Sequence, residues 1–150
     1  QLRPYVYFLR QDSPDFAART PLHRDEILVI LVKNYGQTPA RKVRLRRGIV
    51  FARRPLGDIE VELWDEINDA TDLAPGGDSQ IHFDLGQLDE NRFRAIMEPG
   101  PQVMLIRARV EYEYGPGKED FHDITIVVSE DTARRRAIGF LGRHEREKET

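Results

Sequence analysis

Between Val103 and Tyr114 every second residue is apolar or aromatic: Met104, Ile106, Ala108, Val110, Tyr112 and Tyr114. Successive side chains of an extended chain point to opposite faces, so this spacing lays one continuous stripe along a strand. On a helix the same residues would be scattered around the axis. The period of two recurs. Ile81, Phe83 and Leu85 share one face of Gln80–Leu85, and Ile124, Ile126 and Val128 share one face of Phe121–Val128. Ile59, Val61 and Leu63 do so in Asp58–Trp64, and Val43, Leu45, Ile49 and Phe51 in Ala40–Ala52, where Arg47 interrupts the apolar series. Pro4–Arg10 reads as a first strand, and Glu26–Lys33, apolar on both faces, as a central one. Seven short strands punctuated by turn residues predict an all-β, antiparallel sandwich of immunoglobulin-like type. Its expected core includes Val29, Leu31, Val43, Leu45, Val61, Phe83, Ile106, Val110, Ile124 and Ile126.

The punctuation is equally readable. Asn34-Tyr35-Gly36-Gln37-Thr38-Pro39 is a turn in which Asn34 or Gly36 is expected at positive φ. Gly115-Pro116-Gly117-Lys118 turns one strong strand back on the next, and Gln11–Pro21 and Asp65–Gly77 read as loops. Asp89–Met97 is the one internal helix: Asp89 can cap it, Phe93, Ile96 and Met97 fall at helical spacing, and Pro99-Gly100-Pro101 ends it. Strand periodicity stops at Val128, so the expected division is a sandwich over residues 1–129 and a charged tail over 130–150. In the tail, Arg134, Arg135 and Arg136 precede an apolar cluster containing Phe140 and Leu141. A short amphipathic helix is expected there, weakened by Gly139 and Gly142.

The chemistry offered by these residues is sparse. There is no cysteine, so disulfides are excluded, and His23, His82, His122 and His144 show no metal-ligand spacing. Neither a metal nor another cofactor is expected. Ser13, Ser79 and Ser129 lie in no nucleophile elbow, and Gly115–Lys118 lacks the spacing of a phosphate loop. Asp120, His122 and Asp123 form a polar corner that could serve a hydrolytic enzyme. Alternation accounts for them more simply, with the two aspartates in solvent and His122 turned toward the sheet. Lys42, Arg44 and Arg46, within the arginine-rich stretch Arg41–Arg54, could meet a phosphate backbone or lipid headgroups. Neutralisation by Glu60 and Glu62 on a neighbouring strand is the simpler reading. The balance of 26 acidic against 23 basic residues, net −3, argues against a general nucleic-acid binder. The longest apolar run, Ile27–Val32, is far short of the ~18 residues of a membrane span.

Three stretches together resemble a known group. They are Arg3-Pro4-Tyr5-Val6, the stretch Val32–Val43 with its turn Asn34-Tyr35-Gly36-Gln37-Thr38-Pro39-Ala40, and Ile106–Gly115 leading into Phe121-His122-Asp123-Ile124-Thr125. The chain is similar, over residues 3–128, to uncharacterised bacterial proteins that place an immunoglobulin-like domain after an N-terminal transmembrane helix and a short stalk. It departs from them at Glu113-Tyr114-Gly115, where the group more often carries Asp before an aromatic and Gly. The resemblance implies a non-enzymatic protein-interaction domain, membrane-associated through a segment upstream of Gln1, and brings no catalytic residue with it. The expected partners are an unidentified protein or an anionic membrane surface. The candidate interaction surface is Lys42, Arg44, Arg46, Arg134, Arg135, Arg136, Phe140 and Leu141.

Overall fold

The computed structural model describes residues 2–8, 24–25, 27–57, 64–66, 70–130 and 139–147, with the backbone alone described at 64–66 and 139–147. The described chain is an all-β sandwich of two antiparallel sheets. The strands are β1 (Val6–Phe8), β2 (Ile27–Asn34), β3 (Ala40–Arg53), β4 (Trp64–Glu66), β5 (Thr71–Leu73), β6 (Asp78–Asp84), β7 (Gln102–Gly115), β8 (Lys118–Val128) and β9 (Gly139–Glu147). The smaller sheet has the order β1-β2-β6, and the larger runs β4-β3-β7-β8-β9 with β5 also pairing to β3. The expected strands over 4–10, 26–33, 40–52, 80–85, 103–114 and 121–128 correspond to β1, β2, β3, β6, β7 and β8. Of the strand expected at Asp58–Trp64, all but Trp64 lies outside the described residues.

The inward stripes of the long strands form the core. Met104, Ile106, Ala108, Val110 and Tyr112 of β7 are buried together with Ile124, Ile126 and Val128 of β8 and Val43 and Leu45 of β3. Ile81 and Phe83 of β6 face them from the other sheet. Seven of the ten expected core residues are buried. Val61 lies outside the described residues. Val29 and Leu31 are only half-buried, because β2 turns Leu28, Ile30 and Val32 inward instead. A strand apolar on both faces carries no signal in its alternation to say which face is covered.

Asp89 caps the helix α1 (Glu90–Ile96), its carboxylate accepting the Arg92 backbone N–H at 3.0 Å, and Phe93 and Ile96 anchor the helix to the core. Gly117 takes the positive φ, 68°, that the β7–β8 hairpin turn needs.

Two parts of the larger sheet depart from expectation. Thr71–Leu73, within the stretch expected to be a loop, is β5, which pairs Ala40 with Leu73 and Val43 with Thr71. Residues 139–147, expected outside the sandwich and helical, instead form β9, in register with β8 from Asp120↔Glu147 to Val127↔Gly139. Without β9, β8 would end the sheet with a row of unpaired backbone groups. Gly139 and Gly142 disfavour the competing helix.

Candidate functional site

The turn after β2 is organised by a side chain. Asn34 is fully buried. Its Oδ1 accepts the backbone N–H of Tyr5 at 3.1 Å and of Gly36 at 2.9 Å, and its Nδ2 donates to the carbonyls of Thr38 and Leu73, both at 3.0 Å. These four bonds use both donors of the carboxamide and two of its acceptor sites. Neither Asn34 nor Gly36 has a positive φ, contrary to expectation; among the described residues the non-glycine residue that does is Lys42, at 50°. Gly36 is needed for room. A Cβ there would sit 2.3 Å from the Arg3 carbonyl oxygen, 2.5 Å from Pro4 Cα and 2.5 Å from Tyr5 N, all backbone atoms that cannot swing aside. The Tyr35 N–H donates to the Tyr5 carbonyl at 2.7 Å, and the Gln37 N–H to that of Arg3 at 3.3 Å. The Arg3-Pro4-Tyr5 segment and the Asn34–Pro39 turn, 29 residues apart at their Tyr5–Asn34 bond, are therefore one structural unit.

Arg3 extends this unit to the larger sheet. Its guanidinium lies 4.1 Å from the Tyr114 ring centroid and pairs at 3.2 Å with Asp120, whose side chain is wholly buried. The Tyr112 hydroxyl donates to the same Asp120 oxygen at 3.3 Å and lies 3.2 Å from His122 Nε2. Tyr5, Tyr7 and Tyr112 pack on the His122 ring with centroids 5.1–5.9 Å away. Burial pushes the Tyr112 phenol well above its ordinary pKa, and the negative Asp120 adds to this, against smaller opposing effects of the Val6 backbone and Arg3. By residue type this is an acid–base set, and in this arrangement its side chains fasten Arg3, Tyr5 and Tyr7 to β7 and β8.

Asp123 faces the other way. Arg107 donates to it at 2.6 Å, and Arg109 makes a two-pronged pair at 2.6 and 2.9 Å. Burial alone would raise the Asp123 carboxyl, but the hydrogen bonds from Arg109 and then Arg107 outweigh it and hold its pKa below the ordinary value. The Asp123 hydrogen bond in turn raises Arg109, against the effect of its own burial. Arg109 also stacks on Phe121, 4.4 Å from its centroid.

The polar corner is thus split: Asp120 and His122 point into the core, and Asp123 points to the outer face of the larger sheet. The expectation that the aspartates lie in solvent is incorrect, since all three residues are 1% exposed. The inward turn of His122 agrees with expectation, but Asp120 shares that inward face instead of lying with Asp123.

The basic row of β3 lies on that same outer face, beside β7. Lys42 pairs with Glu113 at 3.4 Å, and Glu111 stands 4.0 Å from Arg46 and 3.8 Å from Arg109. The neutralising strand is β7. Glu60 and Glu62, the residues expected in that role, lie outside the described residues, as do Arg134, Arg135 and Arg136. Phe140 and Leu141 are on β9, separated from β3 by β7 and β8 and hence by about 14 Å across the sheet. The structure therefore does not bring the described halves of the candidate interaction surface together. A hollow of about 270 Å³ opens between Lys42, Arg44, Glu111, Glu113 and Phe121. Sequence reading passed over Asn34 as a hydrogen-bonding hub and Arg3 as an anchor. The Asn-x-Gly spacing was the one available signal for the former, and nothing local marked the latter.

Among the described residues no group of three or more potential ligands could hold a metal ion, and no helix is long and apolar enough to cross a membrane. No family model, curated protein or solved structure matches the chain. What the fold and the site define is a β-sandwich with a clamped N-terminal segment and a charged outer sheet face.

Proposed function

We propose that this chain is a non-enzymatic, immunoglobulin-like interaction domain of a membrane-tethered bacterial protein. The observation that carries the proposal is the clamp: Arg3 and Tyr5 are held by Asp120, Asn34, Tyr35 and Gln37, so a tether entering at the N-terminus would join a rigid body and fix its orientation. The strand order β1-β2-β6 against β3-β7-β8 supports the immunoglobulin-like reading, since it matches the A-B-E and C-F-G arrangement of such domains. The outer face of the larger sheet, with Arg44 exposed beside the paired Lys42 and Arg46, is the surface offered to a protein partner.

The test is made in cells expressing the intact gene product, with a photo-crosslinking amino acid at position 44 or, as control, at Gln80 on the opposite sheet. The expected result is a protein adduct from position 44 only, found in membranes that resist carbonate washing. Equal adducts from both positions, or hydrolytic turnover that Asp120→Asn abolishes, would overturn the proposal. Vesicle binding by the isolated domain that vanishes with salt would favour an anionic surface instead.

A further inference from the structure

The far end of the sandwich holds a second hollow, of about 370 Å³, between the end of β3, α1 and the start of β7. Its floor is apolar: Ile96 is buried, and Phe51 and Ala95 are half-buried. Its rim carries Arg53 and Arg92, both exposed, with the Arg92 guanidinium 5.9 Å above the Phe51 ring. Several arginines around the clamp and on the outer face are neutralised: Arg3 by Asp120, Arg107 and Arg109 by Asp123, Arg46 by Glu111. On α1 itself, Arg94 pairs with Glu90. Arg53 and Arg92 form no ion pair with any described carboxylate. Among the described residues, no acidic one lines the hollow. Two guanidinium forks above an apolar floor recognise a carboxylate attached to a hydrophobic group.

We propose that this hollow docks an acidic peptide segment of a protein partner, seating one large apolar side chain against Phe51, Ala95 and Ile96 while flanking carboxylates pair with Arg53 and Arg92. The volume is near the lower end of the ~300–1,000 Å³ range of ligand sites, enough for one anchoring side chain rather than a large cofactor. A peptide is favoured over a lipid by position. Arg41 lies at the clamp end of β3 and Arg53 at the other, which puts the hollow about 40 Å from the N-terminal segment. A tether at that segment keeps the membrane at the opposite end. The inference rests on the interaction-domain reading but uses a different surface, so the two can fail separately.

The experiment follows backbone amide shifts of the isotope-labelled domain during titration with a blocked hexapeptide, Leu-Phe flanked on each side by two glutamates. Saturable shifts at Ala95, Ile96 and Gln102 are expected. Arg53→Glu with Arg92→Glu should weaken binding at least tenfold without altering thermal melting, while Arg44→Glu leaves it unchanged. The proposal is overturned if no saturable shift appears, or if a peptide with Ala-Ala at its centre binds equally well. It is also overturned if phosphatidylglycerol vesicles shift these amides and the peptide does not. In each case a crosslink from position 44 would still stand or fall on its own.

Discussion

Replacing Asn34 by alanine should be among the most damaging single changes available in this protein. The substitution removes four hydrogen bonds at once and leaves behind the N–H groups of Tyr5 and Gly36 and the carbonyls of Thr38 and Leu73. The bond to Leu73 is fully buried, so its carbonyl loses its partner without access to water, at a cost of about 1–3 kcal/mol. The other three bonds are partly buried, and water entering the vacated space can recover part of each, leaving roughly 0.5–1 kcal/mol apiece. The total is about 2.5–6 kcal/mol, which for a domain of this size lowers Tm by roughly 5–24 °C. Asn34→Asp sharpens the test. The carboxylate keeps both acceptor roles but loses both donors and turns negative charge toward two carbonyl oxygens, so at neutral pH it should be no better than alanine. Urea unfolding with an unchanged m-value measures both variants. A loss below about 1 kcal/mol for Asn34→Ala, or an Asn34→Asp variant as stable as the parent, would refute the assignment of Asn34 as the hub of the clamp.

Gly36→Ala should cost at least ~2 kcal/mol by forcing backbone atoms apart, and hydrogen exchange at the Tyr35 amide should accelerate as the N-terminal segment lifts away. Asp123 has a folded-state pKa below its unfolded value, so its contribution is fully present above about pH 4 and disappears as pH falls through the folded value. Asp123→Asn should therefore lower stability at pH 7 by about 2–4 kcal/mol and flatten the acid limb of the stability–pH curve, as read by urea titrations across pH. Tyr112 has the opposite sign: its raised folded-state pKa means stability falls as pH climbs above about 10, and Tyr112→Phe should lessen that fall, as measured by alkaline unfolding. Deleting residues 131–150 removes β9 and bares the edge of β8, so light scattering should report self-association together with a lower Tm.

The sequence by itself determined most of the strands, because burying one face of an extended chain imposes a period of two that survives any particular pairing. It also determined α1, whose cap Asp89 and anchors Phe93 and Ile96 act within one local segment, and the β7–β8 hairpin at Gly115–Lys118. Alternation turned His122 toward the sheet but, with both aspartates expected in solvent, did not separate Asp120 from Asp123. It was silent on what covers each face, so the burial of both aspartates could not be read. Their partners lie elsewhere in the chain: Arg3 reaches Asp120 from 117 residues away, and Arg107 and Arg109 reach Asp123 across a hairpin. For β2, apolar on both faces, even the inward set was left to the tertiary structure. Gly36 showed the same limit, since its requirement comes from the approaching backbone of Arg3-Pro4-Tyr5 and not from its own φ. Strand β9 is the extreme case. Its glycines and charges carry no clear period, and only the unpaired edge of β8, formed once the rest of the sheet exists, gives that segment a reason to be extended.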